Sequence, residues 1–416
     1  MQPNFYLIAC LLSFTGTAVA ESYDLRPFKV DVAGRVPHLL DLINKTNLPE
    51  RENPGSSFGM NLDVLRSFKN QWTENFDWQT EQDIINQYEQ YTANIENQTV
   101  HFIHKRSPDP NAIPLILLHG WPGSILEMQY LIDPLTTPTV ISQNKSSGSG
   151  PPQNVSFHVV VPSLPGFAFS SPPPANWTNY NDTARVFNTL MTSVLNYSKY
   201  AAHGTDWGSS VAWGLYDNFN ASARALHLNF IPFLPLSPDE LAARNITLEN
   251  ADEEYSEQLW VEWNNTGTAY FQEHTTKPND IGLALFDNPI GQLVWIGEKF
   301  IEWSDPRAGT GPSLITHHEI LRHVSLYYLS ESFLSSVYVY TQNADFVNKF
   351  KTPKTDAPFL YSAFKNNSWF WPRQLVETLG NLVWYKYHEF GGHFPALDNP
   401  LALISDLREI ANYWEG

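Results

Sequence analysis

The chain has 416 residues, of which 42% are hydrophobic, and its formal net charge is -18 at pH 7. This length and apolar content are sufficient for one large α/β core, and no second catalytic domain is needed. With only 25 basic residues and no basic cluster, the composition argues against nucleic acid or an anionic membrane surface as a partner.

The first twenty residues predict a secretory signal peptide. An uncharged apolar stretch over residues 6–14 is followed by Ala18-Val19-Ala20, a small-x-small cleavage signature. The alternative, a membrane anchor, is disfavoured because the apolar run is too short to span a bilayer. Cys10 is the only cysteine and would leave with the signal, so the mature chain would form no disulfide.

N-glycosylation sequons along the chain support the same destination, and we therefore expect a secreted, N-glycosylated protein. Their asparagines are Asn44, Asn97, Asn144, Asn154, Asn176, Asn181, Asn196, Asn220, Asn245, Asn264 and Asn366. A glycan on Asn366 should be sterically excluded if the loop that carries it lines a binding site.

Residues 21–95 form a polar, Trp-containing N-terminal extension, with helices predicted around residues 36–47 and 62–72. The alternation of residues 99–104 then predicts the first core strand. Further strands are predicted at residues 157–161 and 226–230, alternating with helices such as 184–195. Strands that alternate with helices imply a mostly parallel sheet. Residues 144–152, rich in Gly, Ser and Pro, predict a flexible surface insertion.

A short buried strand is predicted at Ile113–Leu118, and it ends in the loop His119-Gly120-Trp121-Pro122-Gly123-Ser124. Backbone N–H groups of such a loop can bind an oxyanion.

Asp206 stands at a sharp turn between a predicted strand, residues 200–202, and a predicted helix, residues 211–216. The turn Gly204-Thr205-Asp206-Trp207-Gly208 has the small-x-nucleophile-x-Gly form of the nucleophile elbow of α/β-hydrolases. An attacking carboxylate makes an alkyl ester, so the electrophile should be a saturated carbon such as that of an epoxide or alkyl halide. In this fold the oxyanion hole combines the N–H after the nucleophile, here Trp207, with one from an early loop, here Trp121.

The pattern changes to helices without strands over residues 232–343, which are rich in aromatic side chains. We interpret this region as a helical lid whose apolar underside forms a substrate pocket. Strands are then predicted at residues 359–363 and 382–387. The second is followed by Gly391-Gly392-His393-Phe394, and a nucleophile followed by a histidine is the chain order of this fold. An amphipathic helix is predicted at residues 401–414.

With these motifs the chain resembles the epoxide hydrolases of the microsomal type, including their fungal relatives, from about Tyr23 to the end. The resemblance rests on the loop 119–124, Pro162-Ser163-Leu164-Pro165-Gly166-Phe167, the Asp206 turn, Gly297-Glu298-Lys299-Phe300 with Trp303, and residues 391–394. It implies an α/β-hydrolase fold with a helical lid and an N-terminal extension that wraps lid and core. The expected division is 1–20 signal peptide, 21–95 extension, 96–231 first core part, 232–343 lid and 344–416 second core part.

The resemblance also implies roles for individual residues. Asp206 would be the nucleophile, His393 the base that activates water, and Tyr270 and Tyr340 the lid acids that protonate the epoxide oxygen. Tyr338 is close enough to Tyr340 to be a rival. Contacts to the substrate are expected from three residues of the two turns, Trp121, Pro122 and Trp207.

The partners implied are a small-molecule epoxide and water. We expect no cofactor, no nucleic acid and no stable membrane span, and homodimer formation stays open. The cluster His317-His318-Glu319 with His323 has no further ligand motif, so a metal site is disfavoured.

One position departs from the family pattern, which places an Asp or Glu about 26 residues before the base histidine. This chain has Asn367 there. The acid fixes the imidazole tautomer and stabilises the imidazolium, and an Asn carbonyl can do only the first. We therefore expect slow hydrolysis and accumulation of the alkyl-enzyme. Alternatives are a replacement carboxylate, such as Glu389 or one after the sixth strand, or deamidation of Asn367.

Other functions stay open at this point. One is an epoxide-opening or cyclising enzyme of secondary metabolism, and the sequence does not separate this role from detoxification. A haloalkane dehalogenase shares the Asp nucleophile and the His base but has no need for acidic lid tyrosines. A binding protein that has kept the fold and lost catalysis would also explain Asn367.

Overall fold

The computed structural model describes residues 23–51, 58–145, 148–231, 233–344 and 352–414, so the predicted signal peptide lies outside it. Among these residues no helix combines the length and the apolar character needed to cross a bilayer. The strands are β1 Arg26–Phe28, β2 Gln90–Ile95, β3 Gln98–Lys105, β4 Ile113–Leu118, β5 Thr139–Lys145, β6 Gly148–Val155, β7 Phe157–Pro162, β8 Tyr200–Gly204, β9 Ala223–Leu228, β10 Phe359–Asn366 and β11 Leu382–Gly392.

The α-helices of the described residues alternate with these strands or lie between β9 and β10. They are α1 Val36–Lys45, α2 Leu62–Glu74, α3 Trp78–Ile85, α4 Ile125–Thr136, α5 Tyr180–Thr189, α6 Asp206–Asn218, α7 Pro238–Ala243, α8 Ala251–Glu262, α9 Ala269–Thr276, α10 Pro278–Leu285, α11 Pro289–Glu302, α12 His317–Leu329, α13 Phe333–Ser336, α14 Tyr338–Gln342, α15 Arg373–Val376, α16 Pro395–Asp398 and α17 Pro400–Arg408.

The central sheet has nine strands in the order β1-β2-β3-β7-β4-β8-β9-β10-β11. The six strands from β7 to β11 in this order are parallel, and β1, β2 and β3 add an antiparallel edge. The strands β4, β7 and β8 are apolar and almost fully buried because helices cover both faces of the sheet. The prediction of a mostly parallel α/β-hydrolase sheet is confirmed.

Parallel strands bring their carboxyl ends to one edge of the sheet, where ligands bind in open α/β folds. Leu118 at the end of β4 pairs with Gly204 at the end of β8, and Gly204 pairs with Leu228 at the end of β9. At the far side Asn366 pairs with Gly392, so residues 367 and 393 follow next to each other. The residues that come after these five strands therefore share one edge.

The N-terminal helices lie against the helical region between β9 and β10. The indole N–H of Trp72 on α2 donates to Ser325 Oγ on α12 at 2.9 Å, and Arg35 donates to the carbonyl of Leu329 at 3.0 Å. A buried ion-pair network joins α3 to α12, with Arg322 2.8 Å from Glu81 and 3.1 Å from Glu319.

The prediction of a flexible insertion at residues 144–152 was wrong for the described backbone. Residues 139–145 and 148–155 pair as the antiparallel hairpin β5–β6, with Thr139 opposite Val155 and Ile141 opposite Gln153. The β-branched residues at the base of the hairpin favour the extended conformation. The prediction considered only the Gly- and Ser-rich tip, which does not indicate a strand by itself.

Candidate active site

The turn after β8 holds Asp206 in a conformation that exposes its side chain above the sheet. Asp206 has φ +45°, in the left-handed region that is unfavourable for a residue with a side chain. Close packing enforces it, since a Cβ on Gly204 would lie 2.4 Å from the carbonyl oxygen of Gly208, and one on Gly208 would lie 2.2 Å from that of Leu118. The strained turn predicted from the Gly204–Gly208 pattern is present.

The two carboxylate oxygens of Asp206 face different partners. Oδ1 accepts a hydrogen bond of 2.7 Å from the backbone N–H of Trp121, and Oδ2 lies 3.4 Å from Nε2 of His393. A Cβ on Gly120 would lie 2.1 Å from Oδ1, so this loop approaches the carboxylate as closely as only glycine allows. Trp207 is the second residue of α6, directly after Asp206, and its backbone N–H stays a predicted second donor.

His393 is almost fully buried, and its ring has a fixed hydrogen-bonding pattern. Its Nδ1 lies 2.8 Å from Oδ1 of Asn367, while the Asn367 amide nitrogen donates to the carbonyl of Asn229 at 3.1 Å. Because a carbonyl can only accept, the Asn367 oxygen must face the imidazole and accept from Nδ1–H. In the neutral form of the ring the proton therefore lies on Nδ1, which leaves Nε2 as the acceptor nitrogen, and Nε2 faces Asp206.

No carboxylate among the described residues pairs with Nδ1 of His393. Glu389 is largely exposed and lies 2.7 Å from Nζ of Lys365, and residues 229–237 after β9 contain no Asp or Glu. The suggestion that Glu389 or that loop replaces the triad acid was therefore wrong. Asn367 is the group that the imidazole contacts.

Two buried carboxylates hold the backbone before His393 instead. Asp305 accepts from Gly391 N–H at 2.9 Å, and Asp398 accepts from Gly392 N–H at 3.0 Å. Burial opposes ionisation of Asp305, but the hydrogen bonds from Arg307 and from backbone N–H groups lower its pKa to about 2. Burial raises the pKa of Asp398 to about 6. The backbone N–H of His393 itself donates to Trp303 at 2.7 Å.

Tyr270 on α9 and Tyr340 on α14 line the same cavity as Asp206, with ring centroids 5.9 Å apart. Tyr340 contacts the Trp207 ring at 4.9 Å, and Tyr270 is stacked on the Trp121 ring at 5.6 Å. Burial, and then the negative charge of Asp206, raise the pKa of Tyr270, and burial likewise raises that of Tyr340. Both phenols are therefore protonated at neutral pH and can donate.

The hydroxyl of Tyr338, the rival of Tyr340, points elsewhere. It donates to Asn279 at 2.9 Å, in an exposed position. Tyr340 is the member of this pair that lines the cavity over Asp206.

The cavity above Asp206 is mostly apolar, which suits an apolar small molecule. Its described lining residues are Asp206, Trp207, Ser210, Phe230, Phe233, Leu234, Trp263, Tyr270, Phe271, Trp303, Tyr340, Ser368, Trp369 and His393.

Trp207 is one of the three residues expected to contact a substrate, and it lines this cavity. Trp121 lies behind the ring of Tyr270, and Pro122 is buried in the same loop. Their contact with a substrate stays a prediction.

Several members of the site were not predicted from the sequence. Two aromatic residues of the lining were detectable from their positions near the carboxyl ends of predicted strands, since Phe230 ends the strand 226–230 and Trp369 follows the strand 359–363. The carbonyl of Asn229 was not detectable, because a backbone oxygen has no signature in the sequence. The cluster around Glu319 and His323 belongs to the α3–α12 ion pairs, and the described residues contain no group of three or more residues that could bind a metal.

Comparison with known proteins agrees with this architecture. The family model "Epoxide hydrolase N terminus" matches residues 25–128, and the model "alpha/beta hydrolase fold" matches residues 113–261. The solved structure of Aspergillus niger epoxide hydrolase is 32% identical with a TM-score of 0.80, covering 95% of this chain and 98% of that one.

Two further relatives extend the likeness to animals. Epoxide hydrolase 1 of Sus scrofa is 28% identical over 423 residues, which are 96% of this chain and 91% of that protein. The structure of juvenile hormone epoxide hydrolase from Bombyx mori is 25% identical with a TM-score of 0.77, covering 93% of this chain and 94% of that one. Because the likeness covers nearly the whole chain, this protein is a hydrolase of the microsomal-type epoxide hydrolase family.

Proposed function

We propose that this protein hydrolyses epoxides through a covalent ester on Asp206. A carboxylate oxygen attacks a ring carbon, the C–O bond of the epoxide breaks, and its electron pair goes to the epoxide oxygen. That oxygen takes a proton from Tyr270 or Tyr340, since an alkoxide is a poor leaving group at neutral pH. The pKa of each phenol is raised, so both are protonated at neutral pH, and both line the cavity above Asp206. These two observations support their role as acids.

In the second half-reaction water attacks the ester carbonyl. Nε2 of His393 takes the proton of the water, and the resulting hydroxide adds to Cγ of Asp206. The oxyanion that forms accepts from Trp121 N–H, which already lies 2.7 Å from Oδ1. As the tetrahedral intermediate collapses, the bond from Cγ to the substrate oxygen breaks and the leaving alkoxide takes the proton from His393, which releases the diol. The carboxyl group of Asp206 then loses the second proton of the water, and one oxygen of the diol comes from Asp206.

The observation that carries this proposal is the position of the Asp206 carboxylate between a hydrogen-bond donor and an imidazole. Its Oδ1 accepts from the backbone N–H of Trp121, and its Oδ2 lies 3.4 Å from Nε2 of His393. The donor can stabilise an oxyanion on the ester, and the imidazole can activate the water that attacks it.

A single turnover in ¹⁸O water tests the ester. Limiting styrene oxide should leave ¹⁸O in the peptide that contains Asp206, and Asp206→Ala should form neither adduct nor diol. Absence of label from that peptide, or full activity of Asp206→Ala, would refute the proposal.

Asn367 in the acid position leads us to propose that hydrolysis of the ester is the slow step. Asn367 fixes the productive tautomer through its 2.8 Å hydrogen bond, but it supplies no negative charge to the imidazolium. In a serine protease triad, replacing the acid by Asn costs on the order of 10⁴ in turnover. Alkylation does not use the imidazolium, so the ester should accumulate. Acid quenching followed by intact-protein mass spectrometry during turnover should find most of the enzyme alkylated.

We also propose that the protein is secreted and glycosylated. The sequon residues with exposed side chains are Asn44, Asn97, Asn154, Asn176, Asn196, Asn245 and Asn264. Asn366 is half-buried and donates to Asp305 at 2.8 Å, so it should carry no glycan, and Asn144 lies outside the described side chains. Expression in a eukaryotic host followed by glycosidase digestion and peptide mapping tests this. An unmodified, cell-retained protein would contradict it.

A further inference from the structure

A buried lysine lies against the ring of Tyr270. Lys299 on α11 is 8% exposed, and its Nζ lies 4.8 Å from the ring centroid of Tyr270 and 5.6 Å from that of Trp303. An ammonium above an aromatic face is attracted by the ring, and most strongly where water is excluded.

The counterions of Lys299 lie on its own helix. Glu298 is 2.5 Å from Nζ, and Glu302 is 3.9 Å away. Burial, and then hydrogen bonding to Glu298, raise the pKa of Glu302 to about 7, so near neutral pH the two carboxyl groups carry less than two full charges. Glu302 thus adds less than a full negative charge to the surroundings of Lys299 near neutral pH.

The charge of Lys299 also acts on the neighbouring His274. Burial, and then the charge of Lys299, lower the pKa of His274 to about 3, so that this ring stays neutral. The indole N–H of Trp295 donates to its Nε2 at 2.9 Å, which agrees with a neutral ring. Lys299 is therefore the cation that faces Tyr270 in this part of the described chain.

A buried ammonium is costly to desolvate, and its interaction with a neutral phenol repays only part of that cost. The attraction grows when the phenol loses its proton, since the ring then carries a full negative charge. Because the ammonium attracts the phenolate more strongly than the neutral phenol, it lowers the free energy of the proton transfer from Tyr270 and accelerates this step.

We propose that Lys299 is a positioning residue for acid catalysis, and that its ammonium stabilises the phenolate that Tyr270 becomes on protonating the opening epoxide. The proton passes from the Tyr270 hydroxyl to the epoxide oxygen as the C–O bond breaks, and the phenolate later recovers the second proton of the hydrolytic water, which the Asp206 carboxyl group gives up. This inference rests on the proposed function, because it requires Tyr270 to be an acid.

The test is single-turnover alkylation by styrene oxide with enzyme in excess. Tryptophan fluorescence and mass spectrometry of the ester measure the alkylation rate. Lys299→Met should alkylate about tenfold more slowly or worse, and Lys299→Arg should recover most of the rate. Hydrolysis of the preformed ester should be unchanged in both variants. Equal rates for Met and Arg variants, or equal slowing of both half-reactions, would overturn the inference.

Lys105→Met is a matched control. Lys105 also lies over a tyrosine ring, 5.6 Å from the centroid of Tyr88, and also pairs with a carboxylate, Asp133 at 2.5 Å, but outside the cavity. Its loss should leave alkylation unchanged. If Lys299→Met fails to fold, Glu298→Gln gives the opposite test, because it removes the counterion next to Lys299 and a negative charge that, after burial and Asp206, raises the pKa of Tyr270. It should alkylate faster, and slower alkylation would overturn the inference.

Tyr270→Phe separates this inference from the proposed function. If Tyr270→Phe alkylates like the wild type, Tyr270 is not an acid and the role proposed for it fails. If Tyr270→Phe is slow and adding Lys299→Met to it causes no further loss, Lys299 acts through Tyr270 as proposed. A full additional loss in the double variant would overturn the action through Tyr270 and leave the proposed function intact.

Discussion

Asn367→Asp is the substitution that most directly tests how residue 367 supports His393 as the proposed base. It replaces an amide oxygen 2.8 Å from Nδ1 of His393 by a carboxylate oxygen of nearly the same size. The tautomer stays fixed, and a negative charge is added beside the imidazolium that forms as water is deprotonated. Only the second half-reaction contains that cation, so only hydrolysis of the ester should become faster.

The size of the gain follows from the geometry. Two unit charges about 4 Å apart attract by about 4 kcal/mol at an effective dielectric constant of about 20. At about 1.4 kcal/mol per factor of ten, the upper limit is about 10³ in the hydrolysis rate. We expect a gain of about 10² to 10³.

The same substitution should weaken the fold. The Asn367 amide nitrogen donates to the carbonyl of Asn229 at 3.1 Å, and a carboxylate oxygen there would face that carbonyl without a proton between them. Losing this buried hydrogen bond costs about 1–3 kcal/mol. Because the loss affects the enzyme before and after water activation alike, it lowers the melting temperature without cancelling the rate gain.

The assay measures the two half-reactions separately. Alkyl-enzyme prepared with excess styrene oxide is freed of substrate, and the decay of its mass adduct is followed with time. Asn367→Ala, which loses the tautomer-fixing oxygen, should decay more slowly than wild type, and Asn47→Asp, on the exposed segment after α1, controls for the added charge. If Asn367→Asp hydrolyses its ester no faster than wild type, the proposed cause of slow turnover is refuted.

Three further predictions concern the acids, the oxyanion loop and acid stability. Tyr270→Phe and Tyr340→Phe should each slow alkylation by about 10²-fold or more in stopped-flow experiments, whereas Tyr338→Phe, whose hydroxyl faces Asn279, should not. Gly120→Ala should abolish alkylation while the protein stays folded by circular dichroism, because its Cβ would lie 2.1 Å from the attacking carboxylate. Asp305 has a pKa lowered to about 2, so it stabilises the fold above pH 4 and loses this contribution as pH falls through 2. The free energy of unfolding of Asp305→Asn should therefore lose about 2 kcal/mol less than that of the wild type as the pH falls from 4 to below 2. The same pH dependence in both proteins would contradict the stabilising role of the Asp305 carboxylate.

The sequence was informative wherever the site depends on local backbone geometry. The Asp206 turn requires glycine at two flanking positions, because neighbouring backbone occupies the space of a Cβ, and this requirement is written directly into the chain. Strands β4, β7 and β8 are buried on both faces, so their apolar runs identified them. The carboxyl ends of β4 and β8 then located Trp121 and Asp206 at one edge of the sheet, and the carboxyl end of β11 located His393 there.

The sequence was uninformative where packing between distant segments decides. Tyr338 and Tyr340 are two residues apart on a short helix, and only the contact of Tyr338 with Asn279 shows which one faces the cavity. Glu389 is four residues before His393 and was a reasonable substitute acid, but the alternation of β11 directs it to Lys365 on the neighbouring strand. Lys299 belonged to a recognised motif, yet its place over Tyr270 depends on how α9 and α11 pack.

In the proposed mechanism the two half-reactions use different parts of the molecule, which would make Asn367 compatible with an enzyme. The proposed alkylation uses the Asp206 carboxylate and the phenols of the helical region, none of which contacts Asn367 among the described hydrogen bonds. The proposed hydrolysis uses His393, whose backbone is held by Trp303 and by the flanking glycine contacts to Asp305 and Asp398. Those contacts do not involve residue 367, and the imidazole Nε2 lies 3.4 Å from Oδ2 of Asp206. The missing charge should therefore slow release of the product and leave capture of the epoxide intact, so mixing excess substrate with enzyme should give a burst of one consumed epoxide per Asp206 before steady turnover. Turnover without a burst would place the slow step at or before alkylation and contradict this division.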